Sequence, residues 1–410
     1  MKKLSQNLIL LTILLSGTQI VNLSISNLTI FQIILIITII CCIVNLFFFK
    51  KIFLGKYLFF GIVYGLSSVL AYFISTNPLW AKSYLLLGLM TALLVLFVPV
   101  YFKRNDIKLF EKTLIRSQYI VFPFSIYSIY MFYFKEGIPS YIELFAKMYI
   151  NLDKDFLRRA QAASQIRLTL PYSTPPVLSI VMAMCITILL VDKEIFSNWI
   201  RKCLILSYSV VLIFTGSRTG IIALIIVQVA FFKLKNLKSI KKKNFYLIPV
   251  FLLIVSIIAS KFLSSIYITK FINRFTVIKF SSLMKDRHFL VPLDGIIIWI
   301  SSVKNFLLGI GFGSSINMVG VHTFLPPYFL NSFITLIVER GMFGLGIVII
   351  LINLAISLIS KIKNMKKEEK AITYAYIVGL VSCIFYEGIN SYFLIFIISI
   401  SFFIDMNIKK

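Results

Sequence analysis

The sequence predicts an all-α polytopic integral membrane protein with about twelve transmembrane helices. Of its 410 residues, 59% are hydrophobic and only 14% are charged, whereas a soluble domain is about 45–50% apolar and about 25% charged. The mean hydropathy of the chain is +0.95. Apolar runs of about 20 residues, the length that crosses a bilayer as a helix, recur from one end of the chain to the other. A membrane β-barrel would show short alternating segments instead.

The apolar runs divide the chain into successive spans within a single transmembrane domain, residues 1–410. The run that follows Met1 is read as a first span rather than as a cleaved signal peptide, because further apolar runs continue behind it. We place the spans at about residues 7–25, 28–49, 55–75, 79–102, 117–134, 174–191, 203–216, 219–233, 244–262, 328–360, 371–387 and 390–405.

The Lys and Arg clusters orient these spans. They follow every second span and therefore share one face, which the positive-inside rule assigns to the cytoplasm, with both termini inside. The apolar run Tyr328–Ser360 tests this pattern, because two crossings there would put the cluster at residues 361–370 outside. The charge rule favours one long crossing that is tilted or broken near Gly341. The clusters lie at residues 2–3, 50–56, 103–116, 193–202, 233–243, 361–370 and 409–410.

Two predicted outer connections are long: loop A, about residues 135–172, and loop B, about residues 263–327. Long connections without secondary structure of their own are uncommon unless they are functional. In loop A, apolar residues recur at helical spacing between Ile142 and Phe156, which predicts an amphipathic helix on the outer interface. In loop B, a second short helix is predicted from about Pro292 to Asn305, and it is followed by the sequence GIGFG, Gly309–Gly313.

The formal net charge of +27 is explained largely by topology and fits anionic lipid at the inner leaflet. It does not indicate nucleic-acid binding, because the sequence contains no soluble basic domain and no RNA-binding motif. The five cysteines show no metal-ligand spacing, and most sit in apolar runs, where they are expected to pack as small hydrophobic residues.

One charge interrupts the apolar run that extends from Leu204 to Phe232. Arg218 lies in the stretch TGSRTG, which the topology places in a tight outer turn between the seventh and eighth spans. Two structural roles are open to it: its side chain extends to the interface, or it pairs with a neighbouring helix. The third role is functional. A guanidinium beside the first amides of a helix is well suited to bind phosphate with paired hydrogen bonds.

The sequence around Arg218 resembles a known family. TGSRTGIIALII is similar to the SR-[ST]-G turn of the bacterial O-antigen ligase and polysaccharide polymerase family. The segment DRHFLVPLDGIIIWISSVKNFLLGIGFGS is similar to that family's Arg, Trp and "NPL.G.G.G" pattern. NSFITLIVERGMFGLG is similar to its "HNSFL…E.G..G" segment. The resemblance covers about the second half of the chain, and the first half matches in topology and loosely around Arg167.

The resemblance implies an enzyme of the bacterial cytoplasmic (inner) membrane that acts on an undecaprenyl-diphosphate-linked glycan at the outer face. A hydroxyl of one glycan would attack the anomeric carbon of another with inversion, and lipid diphosphate would leave. Membrane lipid and other polysaccharide-assembly proteins are the further partners implied. Arg218 and Arg287 are predicted to stabilise the charge that gathers on the leaving group, although interface anchoring is the alternative for both. The predicted substrate-binding residues are Arg158, Arg159, Arg167, Lys285, Asn331 and Glu339.

The chain departs from the family pattern at one position. The pattern places His directly before Asn-Ser-Phe, but here Leu330 precedes Asn331, and His322 lies eight residues upstream of Leu330. His322 has a suitable intrinsic pKa to act as a general base, with a solvated loop histidine as the alternative. Since the ligase pattern depends on that histidine, its displacement favours a polymerase over a ligase.

No cofactor and no metal are predicted. The pair Asp153 and Asp155 resembles a DxD motif, but residues two apart point to opposite sides of the predicted helix, so the polar face of that helix is the better interpretation. The GIGFG sequence is either a turn that ends the loop-B helix or a close approach to substrate. Glu339 and Arg340 lie within the tenth span, diverge as helical neighbours, and are predicted to need separate partners beside a break that exposes them to an outer cavity.

Two other functions stay open at this stage. A ligase would transfer finished glycan to another acceptor. A lipid-linked oligosaccharide flippase or transporter would need ionisable groups along a path through the membrane and two repeat-related halves. Most spans here carry no charge and no repeat is visible, which favours the enzyme.

Overall fold

The computed structural model describes residues 2–16, 22–23, 28–49, 56–133, 168, 172, 174–234, 287–317, 329–386 and 391–408. The predicted all-α class is confirmed for this part of the chain. Its sheet structure consists of β1 (Asn22–Leu23) and β2 (Leu28–Thr29), an antiparallel pair of two-residue strands.

The helices of the described part of the chain are numbered in chain order. The first seven are α1 (Lys2–Leu15), α2 (Ile30–Phe49), α3 (Lys56–Ile74), α4 (Pro78–Tyr101), α5 (Ile107–Ser117), α6 (Val121–Tyr133) and α7 (Pro175–Val191). The others are α8 (Asn198–Phe214), α9 (Arg218–Leu234), α10 (Arg287–Ile300), α11 (Val303–Leu308), α12 (Ser332–Lys361), α13 (Lys367–Phe385) and α14 (Tyr392–Asn407).

These helices overlap every predicted span except the ninth, residues 244–262, which lies outside the described residues along with most of loop A. The first span was predicted too far along the chain, because α1 already ends at Leu15 and Asn22 and Leu23 form a strand. Two described helical segments are long and apolar enough to cross a membrane: Tyr84–Tyr101, with a mean hydropathy of 2.2, and Ser332–Asn364, with a mean hydropathy of 2.7.

The centre of the bundle is formed by α7, α13 and α14. α7 opens with Pro175 and Pro176 in its first turn, where proline costs no hydrogen bond. Nearly all residues of α14, from Tyr392 to Asp405, are buried, as expected for a helix that is apolar on every side. α13 packs against α7, and α14 packs against α4. Among the described residues no cysteine forms a disulfide, and Cys42, Cys185 and Cys383 are buried, which agrees with the expected packing of thiols in apolar runs.

Ion pairs join several of the segments that were predicted to be cytoplasmic. Arg104 forms a two-point contact with Glu369, with Nη2 2.9 Å from Oε2. Lys361 at the end of α12 pairs with Asp405 at 2.8 Å, and Lys367 pairs with Glu194. The structure therefore gathers these segments at one end of the bundle, which we call the predicted inner end. The opposite end is called the predicted outer end.

The tenth predicted span consists of two helical segments joined at a sharp kink, and the kink lies where the sequence predicted a possible break. α12 covers 30 residues, and within it Gly341 has a non-helical backbone, with φ 60° and ψ −137°. A break at this position leaves the carbonyls of Val338 and Glu339 without the helical amides four residues later. The amides of Ile310 and Gly311 occupy those places, at 2.9 Å and 3.1 Å. The stretch Gly309–Gly313, here called the glycine loop, thus completes the hydrogen bonding of the broken helix.

Loop B contains more helix than predicted. α10 begins at Arg287 and carries Pro292 inside it, and Val291 and Asp294, which lie three residues apart on either side of the proline and share one helical face, are both buried. α10, α11, the glycine loop, the segment 329–331 and the part of α12 before Gly341 surround a small apolar core of their own, formed by Val291, Ile310, Phe329 and Val338. We call this unit the outer module.

Candidate active site

Arg218 lies where the sequence predicted it, at a tight turn. α8 ends at Phe214 and α9 begins at Arg218, and Gly216 has a φ of 57°, which glycine adopts without strain. The hydroxyl of Thr215 closes the turn by accepting the amide of Ser217 at 3.2 Å. The turn residues are buried, whereas Arg218 is exposed. The turn thus presents a guanidinium-bearing residue at the surface, in the first turn of a 17-residue helix.

Gly220 explains why α9 lies so close to α7. A Cβ at this position would lie 2.6 Å from the carbonyl carbon of Ser179, so glycine is needed for the two backbones to meet. Close backbone contact through small residues is typical of helix pairs in membranes. The glycines of the TGSRTG stretch therefore have separate tasks, one in the turn and one in helix packing.

The end of loop A meets this turn. The amide of Leu168 donates to the carbonyl of Phe214 at 3.1 Å, and Leu168 is buried. The buried Tyr172 donates its hydroxyl to Gln118 Oε1 at 2.6 Å. Arg167, a predicted substrate-binding residue, lies outside the described residues, but the peptide that follows it is fixed at the end of α8, four residues from Arg218.

Several predicted site residues are not described by the structure. Arg287 is the first residue of α10, so its backbone belongs to the outer module, and its side chain is not among the described groups. The others in this group are Arg158, Arg159, Lys285 and His322, all outside the described residues. Their predicted roles stay predictions.

Asn331 caps α12 and ties it to α13. Its Oδ1 accepts the amides of Phe333 and Ile334, at 3.0 Å and 3.1 Å, and its Nδ2 donates to the carbonyl of Ile384 at 2.6 Å. Ser332 adds a bond from its hydroxyl to the carbonyl of Tyr386 at 2.9 Å. Asn331 therefore has a structural role at the outer end, and the predicted contact with substrate would be additional to it.

Leu330 occupies the place of the family's histidine and has an unusual backbone. Its φ of 55° lies in the left-handed region, which costs a residue with a Cβ about 1–2 kcal/mol. Its side chain packs against the small core of the outer module. An apolar side chain therefore fills this position and serves packing.

Glu339 was predicted to face an outer cavity, and this is wrong: only 4% of the residue is exposed. Its Oε1 accepts the amide of Gly313 at 2.9 Å, so its carboxylate is held by the glycine loop. Arg340 is equally buried and contacts α3 instead, which confirms that these helical neighbours need separate partners. The glycine loop lies over both residues, and this is the physical reason that the break does not open them to a cavity.

The structure thus groups some predicted residues and separates others. Arg218 and Asn331 both lie at the predicted outer end, and both α9 and α12 pack against α13. Glu339 is eight residues further along α12 than Asn331, a distance of about 12 Å along a helix axis. No group of three or more His, Cys, Asp or Glu that could hold a metal occurs among the described residues. Among the described site residues at this end, Arg218 supplies an exposed cation and Asn331 a neutral amide, while the carboxyl residues Asp294 and Glu339 of the outer module are buried.

The sequence does not identify Arg340 as a site residue, because the residues around it come from distant parts of the chain. Tyr64 and Ser67 on α3 carry no motif that would have identified them. The contact of α3 with the break in α12 becomes visible only in three dimensions.

A scan of protein-family models finds none that matches this chain. A search of curated proteins also finds no match. The resemblance to the O-antigen ligase and polymerase family therefore depends on the short motifs around Arg218, Arg287 and Asn331.

Proposed function

We propose that this protein is a polysaccharide polymerase of the bacterial cytoplasmic membrane, crossing it about twelve times. It would join undecaprenyl-diphosphate-linked repeat units at the outer face. The single observation that carries the proposal is the placement of Arg218: an exposed residue at the first turn of α9, in a turn whose other residues are buried. A guanidinium at this place offers planar paired donors to a phosphate, next to the positive end of a helix.

The reaction proposed is a glycosyl transfer with inversion. A hydroxyl oxygen of the acceptor repeat unit forms a bond to the anomeric carbon of the donor glycan, while the bond from that carbon to the diphosphate breaks. The hydroxyl proton passes to a general base, for which the sequence offers His322, and lipid diphosphate leaves with the electron pair. Arg218 and Arg287 would stabilise the charge on the departing diphosphate, and one well-placed donor of this kind contributes about 10²–10³ to a rate.

The residues at the start of α12 favour the polymerase over the ligase. Where the family pattern has histidine, Leu330 packs into the core of the outer module. A catalytic base is therefore missing from the place on which a ligase of this family would depend. The two activities also differ in the product that their loss leaves behind: single repeat units without a polymerase, and long unattached chains without a ligase.

The test compares Arg218→Lys with the natural protein in liposomes supplied with lipid-linked oligosaccharide. Lysine keeps the charge but lacks the planar fork, so we expect chain growth to fall about 100-fold while membrane insertion is unchanged. Arg116→Lys is the matched control, because Arg116 is also exposed but lies on α5 at the predicted inner end. Normal polymer from Arg218→Lys would reduce Arg218 to an interface anchor. Translocation of the oligosaccharide without chain growth would indicate a flippase and contradict the proposed polymerase activity.

A further inference from the structure

Arg340 is a cation enclosed within the helix bundle. It is 4% exposed and lies one residue before the break in α12. Its Nη1 donates to Ser67 Oγ at 3.1 Å and to the carbonyl of Tyr64 at 3.4 Å. The guanidinium carbon lies 4.2 Å from the centre of the Tyr64 ring and 5.2 Å from that of the Phe312 ring. The cation is thus held between an aromatic ring of α3 and one of the glycine loop.

Burying a charged guanidinium in this arrangement costs more free energy than burying an apolar side chain of similar volume. Among the described residues, the buried Nε of Arg340 has no hydrogen-bond partner, and Arg340 forms no ion pair. The neighbouring carboxylate of Glu339 is directed to the amide of Gly313. Replacing buried charged groups by apolar side chains of similar volume is often neutral or stabilising. Fold stability alone therefore gives a weak reason for an arginine at this position.

The rings around Arg340 connect two parts of the molecule. Phe312 belongs to the glycine loop, donates its amide to the carbonyl of Ala71 at 3.2 Å, and accepts the hydroxyl of Ser75 at 2.6 Å. Ser314, next in the chain after the loop, accepts the amide of Thr76 at 3.0 Å. Arg340 therefore joins the outer module to α3, and Phe312 and Ser314 join it to the residues directly after α3. The bonds from Asn331 and Ser332 to α13 join the module to the bundle at a second place.

The two arginines that are predicted to stabilise the leaving group belong to the two parts of the molecule that these contacts join. Arg287 begins α10 in the outer module, and Arg218 begins α9 in the main bundle. For both to act on one diphosphate, the module has to sit on the bundle in a fixed position. A displacement of about 1 Å in a reacting group can lower a rate about 100-fold.

We propose that Arg340 is a positioning residue that seats the outer module on α3 and thereby fixes Arg287 relative to Arg218. The catalytic part of this proposal rests on the proposed glycosyl transfer, and the seating itself does not. Arginine suits the task because one planar group can stack between two rings while it donates to two oxygens of α3. Lysine would keep the charge without filling the space between the rings, and methionine would fill part of the space without the charge.

A disulfide measures the seating directly, without any transfer reaction. The hydroxyl oxygens of Ser75 and Ser314 are 3.4 Å apart, so Ser75→Cys and Ser314→Cys, in a chain whose five natural cysteines are replaced by alanine, should oxidise rapidly with copper–phenanthroline. Adding Arg340→Met should slow this oxidation about tenfold, because the loop is no longer held in place. Phe312→Leu, which leaves the arginine intact and removes one ring, should slow it in the same way. Lys304→Met is the control, because it removes an exposed cation of the same module and should change nothing.

Kinetics separate positioning from a general loss of structure. We expect Arg340→Lys and Arg340→Met to lower kcat about 10- to 100-fold while KM for the lipid-linked substrate stays within about twofold, since the substrate contacts themselves remain. Slower cross-linking together with a lower kcat supports the proposal. Unchanged cross-linking in both Arg340→Met and Phe312→Leu would overturn it, whatever happens to the rate. Slower cross-linking with an unchanged kcat would overturn the catalytic part. If the natural protein transfers no glycan at all, the proposed function fails, and the cross-link still decides the seating.

Discussion

At the scale of single residues, one buried carboxyl group lies at the predicted inner end, away from the Arg218 turn. Glu111 on α5 is fully buried, and the buried Asp192 lies beside its carboxyl group. Burial raises the pKa of the Glu111 carboxyl well above its usual range, and the nearby Asp192 raises the pKa further, while Lys108 acts in the opposite direction. α5 lies at the predicted inner end, outside the predicted spans, so this carboxyl is expected to stay protonated in the folded protein.

The raised pKa of Glu111 predicts a pH dependence of stability. A carboxyl whose pKa is higher in the folded than in the unfolded state contributes fully below its unfolded pKa, and this contribution is lost as pH rises toward the folded pKa. We therefore expect the Tm of the detergent-solubilised protein to fall as pH rises above about 4.3, the pKa of a glutamate in the unfolded chain, and to fall less in Glu111→Gln. Equal slopes for the two proteins would show that Glu111 ionises as freely in the fold as in the unfolded chain.

Glu194 provides a control of opposite sign. Its hydrogen bond to Lys367, and the charge of that lysine, lower the pKa of the Glu194 carboxyl. The contribution of such a group is present above its unfolded pKa and lost on acidification. Both partners are exposed, so Glu194→Gln should have a small effect, and that effect should appear only at acidic pH.

At the scale of elements, α12 and the glycine loop form one structure. The backbones of the two elements are in close contact at Gly309 and Gly341. A Cβ on Gly309 would lie 2.5 Å from the carbonyl carbon of Glu339, and a Cβ on Gly341 would lie 2.5 Å from the carbonyl oxygen of Leu307. Both glycines also have positive φ values, 78° and 60°. The break in α12 therefore depends on a missing side chain at two positions at once.

Alanine substitutions test this dependence. Gly341→Ala and Gly309→Ala should each lower the free energy of unfolding by about 1–3 kcal/mol, because each adds a clash to an unfavourable backbone conformation. Gly346→Ala is the matched control in the same helix, since nothing lies within 4 Å of a Cβ at that position. It should stabilise the protein by about 0.5–1 kcal/mol, as alanine does in a helix interior. Thermal unfolding in detergent measures all three, and a neutral Gly341→Ala would contradict the account of the break.

At the scale of the whole molecule, the ion pairs at the predicted inner end agree with the charge pattern. Arg104, Glu194, Lys361 and Lys367 come from three different predicted cytoplasmic segments, and the structure brings them to one end of the bundle. The exposed pair of Lys367 and Glu194 contributes little to stability, whereas Lys361 and Asp405 form a largely buried pair. Their value here is topological, because connections on opposite sides of a membrane could not meet.

Cysteine labelling tests that topology. In a chain with its natural cysteines replaced, Arg218→Cys should react with a membrane-impermeant maleimide on intact cells, and Lys363→Cys should react only after lysis, because the two exposed positions lie at opposite ends of the bundle. The reverse pattern would place the Arg218 turn in the cytosol, where the proposed substrate does not occur. Such a result would remove the polymerase proposal while leaving the fold unchanged.

The sequence predicted what local patterns determine. Apolar periodicity located most of the described helices, Gly216 and Arg218 marked the turn, and Gly341 marked a possible break in a tenth span that the basic clusters predict to cross once, whether long, tilted or broken. The sequence could not show that the glycine loop completes the hydrogen bonds of that break, or that Arg340 reaches α3. These contacts join residues far apart in the chain, such as Ser75 and Phe312, and no local pattern encodes such a pairing. The burial of Glu339 was missed for the same reason.

The broken helix also has a consequence for how the chain is made. Alone in lipid, α12 would expose the unbonded carbonyls of Val338 and Glu339 together with a guanidinium, and each such group costs several kcal/mol in hydrocarbon. The groups that satisfy them, on α3 and in the glycine loop, all precede α12 in the chain and leave the ribosome first. During biogenesis this helix therefore enters a site already prepared for it, and it would be poorly accepted by the insertion machinery as an isolated segment.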